Sequence, residues 1–178
     1  MANSEINARR LFRFASGVGG VGCRVSRRGE IQLSADEQRE LIASERIVVV
    51  SSLGQRGWPH SMPLWYVPRD GEIWVYTYAK SQKVRNLERD ARATLLIETG
   101  HEYGELRGIE IEAEAEIHHD IETVFEMAKE LTSRYADGAA VQGDAAEALK
   151  SQARKRVAIR FEPRRIATWD HRKLGGGY

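Results

Sequence analysis

Apolar and polar residues alternate along the chain with two different periods, and the change of period marks the predicted elements. In "LSADEQRELIASE", residues 33–45, the apolar positions recur at helical spacing, and Ser34 with Glu37 has the pattern of a capping box. The next segment, "RIVVVSSLG", is β-branched and ends at glycine, which is typical of a strand. The pattern therefore predicts one helix followed by β structure.

The segment 57–78 predicts a β-hairpin. Its first strand, "GWPHSMPLWYVP", contains Pro59, Pro63 and Pro68. Because a proline donates no ladder hydrogen bond, we expect this strand to be irregular, either at an edge or bulged. Asp70–Gly71 is a turn signal that leads into the second strand, "EIWVYTY".

A strict alternation over residues 109–117 predicts a long antiparallel strand. One face carries Ile109, Ile111, Ala113, Ala115 and Ile117, and the other carries Glu110, Glu112, Glu114 and Glu116. A row of carboxylates could serve acid–base or metal chemistry. However, neighbours on one strand face lie about 7 Å apart, and like charges in a row favour water. We therefore interpret the glutamates as the solvated face of the strand.

The remaining periodic segments complete a mainly β (α+β) fold. A strand at "ATLLIET" precedes the alternating segment, and helices follow it at "IETVFEMAKELTSRY" and "GDAAEALKSQARK". Two closing strands, "RVAIRFEP" and "RIATWDH", join at Glu162–Pro163. Short strands joined mostly by tight turns predict an antiparallel barrel with peripheral helices, and they fit alternating βαβ units poorly.

Composition narrows the class of protein. The 178 residues suit one well-buried domain. Lys and Arg total 27 against 26 for Asp and Glu, so the net charge of +1 indicates no nucleic-acid partner. No apolar run approaches the roughly 20 residues that a membrane span needs. The single cysteine, Cys23, excludes an internal disulfide, and we expect a cytoplasmic protein.

Residues 1–33 differ from the rest because they are rich in Arg and Gly. Within them Gly17, Gly19 and Gly22 match the dinucleotide-binding pattern G-x-G-x-x-G. That pattern binds a dinucleotide only between a buried strand and a helix, and the flanking residues predict neither. We therefore expect a flexible or extended leader over residues 1–33 and one folded domain over residues 34–178.

The segment "YTYAKSQKVRNLERD", residues 76–90, leads from a strand into a helix whose charges are reversed. Ser81 is at the N-cap position, and Lys80, Lys83 and Arg85 crowd the end where the helix dipole is positive. Free backbone N–H groups there, with Lys83 and Arg85, would form a phosphate site. Exposed long side chains, whose cost is only tenths of a kcal/mol, are the alternative. The residues alone leave both interpretations open.

Aromatic residues are dense on the predicted hairpin just before this helix. They are Trp58, Trp65, Tyr66, Trp74, Tyr76 and Tyr78. Packing across the sheet explains most of this density, and a planar ring ligand is the functional alternative. A phosphate site beside an aromatic surface would suit a phosphorylated cofactor that carries a planar ring.

Other candidate chemistry is weaker. Ser61 lies next to His60, but adjacent strand residues point to opposite faces, so a hydrolase is disfavoured. The pair His118–His119 lacks a spaced set of further ligands, so we interpret it as an exposed loop pair rather than a metal site. Cys23 has no identifiable activating base and is expected to be inert.

The segment 46–99 resembles the core of the pyridoxamine 5'-phosphate oxidase-like, flavin-binding split β-barrel family. The shared pattern is a hairpin, then "YT" at a strand end, then S-x-K-x-x-N-L-x-x-D at the start of a helix. In this chain it falls on Tyr76, Thr77, Ser81, Lys83, Asn86, Leu87 and Asp90. The resemblance covers roughly residues 34–118, with a weaker match at Trp169.

The resemblance implies a six-stranded antiparallel Greek-key split β-barrel that binds FMN or the deazaflavin coenzyme F420. It also implies a homodimer with the cofactor at the subunit interface, where Trp169 acts on the partner's site. Ser81 and Lys83 would hold the phosphate, and the strand with Ser61 would line the ring. The implied cofactor-binding residues are Ser61, Met62, Pro63, Tyr76, Thr77, Ser81, Gln82, Lys83 and Trp169.

Two departures from true pyridoxamine phosphate oxidases bear on the activity. Those enzymes have basic residues where this chain has "SMPLWY", and their basic tail is matched only loosely by "WDHRK". We therefore expect hydride transfer between the bound cofactor and an unidentified small organic substrate, not vitamin B6 oxidation. Water, Tyr66 or His60 could donate a proton. The alternative is a non-catalytic cofactor-binding protein for storage, sensing or haem-related binding.

Overall fold

Six antiparallel strands close into a barrel. The computed structural model describes residues 29–136, 138 and 141–175. The strands are β1 (Ile47–Leu53), β2 (Pro59–Arg69), β3 (Glu72–Tyr78), β4 (Arg92–Thr99), β5 (Arg107–His118) and β6 (Arg156–Asp170). The helices are α1 (Ala35–Ser44), α2 (Gln82–Arg89), α3 (Ile121–Tyr135) and α4 (Asp144–Ala153), with 3-10 turns at Tyr103–Glu105 and His171–Leu174.

The strand order around the barrel is β1-β2-β3-β6-β5-β4, with β4 returning to β1. This order confirms the predicted mainly β, six-stranded antiparallel barrel. Gly17, Gly19, Gly22 and Cys23 lie outside the described residues. None of the helices in the described ranges is long and apolar enough to cross a membrane.

The period-two pattern of the strands produces the core. In β1, β3 and β4 buried residues alternate with more exposed ones, and the buried set fills the barrel. Its fully buried members include Val48, Val50, Leu95, Ile97, Ile109 and Phe161. A second, smaller cluster joins α3 and α4 to the outside of the sheet through Val124, Met127 and Ala153.

The predicted capping box begins α1. The Glu37 backbone N–H donates to Ser34 Oγ at 3.3 Å, and the Ser34 N–H donates to Glu37 Oε2 at 2.6 Å. Lys173 also donates to Glu37, at 2.7 Å. The Lys173 ammonium and the Ser34 groups together lower the pKa of Glu37 to about 2. This carboxylate therefore ties the C-terminal turn to the first helix.

The hairpin between β2 and β3 is as predicted, and its first strand is unbulged. Asp70 and Gly71 have φ of 48° and 81°, as a tight hairpin turn requires. Strand β2 pairs with β1 over residues 59–65 and with β3 over residues 66–69, in regular register. Its first half thus has one neighbouring strand in the described chain. Pro59 lies on that edge-like half, where a missing N–H is tolerated.

The C-terminal β segment is one strand, where the sequence predicted two. Strand β6 passes through Pro163 with a register shift against β5 between Glu112 and Ala113, because Glu112 pairs with Arg165 while Ala113 pairs with Pro163. The extra residue is Arg164, so the chain bends at a bulge and does not end there.

The glutamate face of β5 is exposed and is paired with arginines across the sheet. Arg165 binds Glu112 at 2.7 Å, Arg164 binds Glu114 at 2.7 Å, and Arg160 binds Glu116 at 2.8 Å. The bulge places both Arg164 and Arg165 on this face. The row is therefore a surface ion-pair ladder, in agreement with a solvated face and not with a catalytic one.

Candidate cofactor site

Helix α2 lies between β1 and β3 at one end of the barrel. Residues 76–78 of β3 have no ladder partner in β2 but pair with β6, and α2 begins shortly after that end of β3. Val84 and Leu87 pack into the barrel core, as an amphipathic helix requires. The same buried face, however, carries two polar residues, Lys83 and Asn86.

Lys83 is buried, with 8% of its surface exposed. Its Nζ donates to Thr77 Oγ1 at 2.9 Å, and among the described residues no carboxylate forms an ion pair with it. Burial lowers the pKa of the Lys83 ammonium. An ammonium has three donors, so two are left for another acceptor. The interpretation as an exposed long side chain is therefore wrong for Lys83.

Ser81 is at the N-cap position of α2, as predicted, but its side chain does not cap the helix. Its Oγ is buried and has no hydrogen-bond partner among the described residues. A buried hydroxyl without a partner is unfavourable unless a ligand or water binds it. The Ser81 hydroxyl, the first N–H groups of α2 and the Lys83 ammonium therefore fit a phosphate group.

The two residues at the end of β3 point to opposite faces. Thr77 faces into the barrel, where it accepts the Lys83 hydrogen bond. Tyr76 packs against the cluster beneath α3, and its hydroxyl is buried without a partner in the described chain. Burial raises the pKa of Tyr76. The structure thus brings Thr77, but not Tyr76, to the Lys83 ammonium.

The stretch Ser61–Pro63 lies on the first half of β2, and its side chains alternate. Ser61 faces outward, where its Oγ is 2.7 Å from Ser51 Oγ, and Pro63 is on the same face. Met62 points to the other face, opposite buried Val50, and is exposed there. The three side chains therefore do not line one surface, and a ring at this stretch would contact mainly its backbone.

Aromatic residues of the hairpin pack against different partners and do not form the single surface that the ring-ligand alternative needs. Tyr66 is in the core, Trp65 stacks on Tyr135 at 4.3 Å, and Trp74 stacks on His118 at 5.1 Å. This last contact also corrects the interpretation of His118, which ends β5 and is half-buried. The described residues contain no cluster of three or more possible metal ligands.

A polar chain connects α2 to β1, and the sequence did not predict it. Gln82 Nε2 donates to Asn86 Oδ1 at 2.9 Å, and Asn86 Nδ2 donates to Ser52 Oγ at 3.1 Å. Asn86 and Ser52 are both buried. A signal was present, since Asn86 occupies an apolar-facing position of a short helix, but its partner is distant in sequence.

Trp169 lies at the other end of the sheet from Lys83. It pairs with Gly108 of β5, whereas Val157 of the same strand pairs with Thr77. At about 3.3 Å per residue, roughly 40 Å of strand separates Trp169 from Val157. Trp169 and Lys83 of one chain therefore lie towards opposite ends of the barrel.

Gly108 is required by the position of the Trp169 ring. A Cβ at Gly108 would lie 2.3 Å from Trp169 Cζ2, far inside van der Waals contact. We expect Gly108→Ala to displace the indole and to lower the free energy of unfolding by about 1–3 kcal/mol, measured by denaturant titration.

Two matched variants test the cause of that loss. Gly104→Ala, where a Cβ would meet nothing within 4 Å, should leave stability nearly unchanged. In a Trp169→Ala background, Gly108→Ala should cost little. If Gly108→Ala lowers the free energy of unfolding by the same amount in that background, contact with the Trp169 ring is not what requires glycine at position 108.

An apolar surface runs along the outward face of β1 and β2. It pairs Ile47 with Trp65 and Leu53 with Pro59, and Ile47 and Trp65 are 52% and 56% exposed. Beside it is a cleft of about 440 Å³ over β1, β4 and β5. The cleft is lined by Ser51, Leu53, Pro59, Arg92, Thr94 and Glu114.

The fold is that of a split β-barrel protein. Six antiparallel strands close into a barrel, one helix lies at an end of it, and further helices pack outside. The family model for pyridoxamine 5'-phosphate oxidase matches residues 34–170, and the chain belongs to this family.

Solved structures with the same fold differ widely in function. The conserved hypothetical protein Rv2991 from Mycobacterium tuberculosis has a TM-score of 0.76 and 35% identity, covering 89% of this chain and 95% of that one. An F420 reductase has a TM-score of 0.57 and 21% identity, covering 72% and 94%. HutZ, a haem storage protein from Vibrio cholerae, has a TM-score of 0.60 and 14% identity, covering 76% and 95%. No match was found among curated proteins.

Proposed function

We propose that the protein binds the phosphate of FMN or of coenzyme F420 at Ser81 and Lys83 and acts as an oxidoreductase. One observation carries this proposal. At the start of α2, Lys83 is buried without a carboxylate partner in the described chain, and the buried Ser81 hydroxyl has no partner there either. A buried cation of this kind is costly unless an anion neutralises it, and a phosphate would do so.

When bound, such a cofactor supplies two-electron hydride chemistry, and the substrate gains or loses a hydride accordingly. The chain's own residues would bind the cofactor and orient it. The Ser81 hydroxyl would donate a hydrogen bond to a phosphate oxygen, and the first backbone N–H groups of α2 would do the same. Lys83 would bring positive charge to the same group, and Thr77 holds its amine in place.

Membership of the family supports an oxidoreductase, and the similar structures support the choice of cofactors. One of those structures is an F420 reductase, and another is a haem storage protein, so a cofactor-binding protein without turnover is the second candidate. Both candidates bind the cofactor phosphate at the same site. They differ in whether the bound cofactor is reduced or oxidised during turnover.

We also propose a homodimer that completes the site. Exposed apolar residues on the outward face of β1 and β2 support this proposal, because exposed apolar surface rimmed by polar residues is typical of an interface. On this proposal, Trp169 of one copy acts on the cofactor that the other copy binds.

The visible absorption spectrum tests the proposed function. Purified protein dialysed against micromolar FMN, or against micromolar F420, is expected to retain one of them at one equivalent per chain. Bleaching of the retained band by a reductant, followed by its return with an acceptor, would support an oxidoreductase. Retention without such cycling would favour the non-catalytic candidate, and retention of neither would reject both.

A further inference from the structure

Helix α2 contains a fully buried amide where apolar packing alone would favour an aliphatic side chain. Asn86 is 0% exposed and flanks Leu87 on the face that enters the barrel. A buried amide is unfavourable unless its hydrogen bonds are made. The Asn86 amide donates to Ser52 Oγ at 3.1 Å and accepts from Gln82 at 2.9 Å. A structural requirement other than burial of apolar surface is therefore indicated.

The position of Asn86 around the helix suggests that requirement. At 3.6 residues per turn, Lys83 and Leu87 lie near the centre of the buried face, and Val84 and Asn86 lie on its two sides. Burial of Val84 and Leu87 fixes which face of α2 enters the barrel, but apolar contacts are non-directional. A hydrogen bond on one side of that face is directional and fixes the rotation about the helix axis more closely.

Two buried polar contacts join α2 to the barrel from different strands. Lys83 donates to Thr77 of β3, and Asn86 donates to Ser52 of β1. The first contact uses one donor of the ammonium that would also bind the phosphate. The second contact involves no group of the phosphate site.

We infer that Asn86 is a positioning residue, which acts through Ser52 to fix the rotation of α2 so that Ser81 and Lys83 face one phosphate group. The inference rests on the proposed function for the identity of the ligand. It assigns Asn86 no contact with the cofactor.

The first experiment needs no cofactor. The titration of the Lys83 amine is followed by NMR in the wild-type chain, in Asn86→Leu, and in the pair Ser52→Thr and Ser52→Val. Thr and Val have nearly the same shape and differ in the hydroxyl, so the pair separates the hydrogen bond from added bulk. We expect Asn86→Leu and Ser52→Val to move the Lys83 pKa up toward that of an exposed lysine, because a rotated helix exposes the amine. Ser52→Thr should keep the wild-type value.

The second experiment compares cofactors with and without the phosphate. FMN is paired with riboflavin, and F420 is paired with its phosphate-free deazaflavin core. We expect Asn86→Leu and Ser52→Val to weaken binding of the phosphorylated member about tenfold, while the phosphate-free member binds as before. Ser52→Thr should keep the wild-type preference for the phosphorylated member.

The outcomes are distinguishable. An unchanged Lys83 titration in folded Asn86→Leu and Ser52→Val would overturn the positioning role, whatever the cofactor. Equal losses for phosphorylated and phosphate-free cofactors would overturn it as well. If the wild-type chain binds neither FMN nor F420, the proposed function fails, and the Lys83 titration still decides the role of Asn86. If Asn86→Leu does not fold, the Ser52 pair gives the decision.

Discussion

Replacing Ser81 and Lys83 together with alanine is expected to weaken binding of the phosphorylated cofactor by about 2–4 kcal/mol, or roughly 30- to 1,000-fold. The effect is large because both groups are buried at the start of α2 and neither has an anionic partner in the described chain. Binding is measured by titration of FMN or F420 at fixed ionic strength, followed by absorbance or fluorescence.

Arg85→Ala is the matched control for this prediction. Arg85 is on the same helix and carries the same charge, but its side chain is exposed on the opposite face. Its removal should change affinity by less than about threefold, since exposed charges are screened. If Arg85→Ala loses as much affinity as the double variant, the effect is a general electrostatic attraction of the cofactor. If the double variant binds with unchanged affinity, α2 is not the phosphate site.

The fold was predictable because most of its elements are specified by local patterns. The capping box at Ser34 and the turn at Asp70–Gly71 depend on residues within a few positions of each other, and both are formed. Alternation in β1, β3 and β4 predicted which residues enter the core.

Features that depend on distant strands were not predictable in the same way. The proline at position 163 was interpreted as a break between two strands, because within its own segment a proline interrupts a ladder. In the structure a bulge at Arg164 accommodates it, and the pairing with β5 continues on both sides. The aromatic residues of the hairpin were close in sequence, but the pleat and the split of the barrel place them on different faces.

The candidate site was only partly predictable, because some of its features are local in sequence and others depend on distant strands. The reversed charges of α2 are a local signal, and they pointed to Ser81 and Lys83. Burial of Lys83 and its contact with Thr77 depend on how α2 meets the barrel, which the helix sequence does not contain. Asn86 and Ser52 are 34 residues apart, so their hydrogen bond required the fold.

A mixture of Lys83→Ala and Trp169→Ala chains is expected to regain cofactor binding that neither variant has alone. Lys83 and Trp169 of one chain lie towards opposite ends of the barrel, and in the proposed dimer one site takes them from two copies. In a twofold dimer, a mixed pair then has one site with both alterations and one intact site. Random exchange of subunits should restore about a quarter of all sites.

The measurement is the cofactor content of the mixed dimer, isolated through two different affinity tags. One equivalent per mixed dimer is expected, against near zero for each parent at the same cofactor concentration. The mixture of Lys83→Ala with Ser81→Ala is the control, because both residues belong to the same half of the site and no mixed pair has an intact one. Recovery in the control, or none in the Lys83 and Trp169 mixture, would contradict a site shared between subunits. Recovery in the Lys83 and Trp169 mixture, with none in the control, is the result expected if Trp169 of one copy completes the phosphate-binding half of the other.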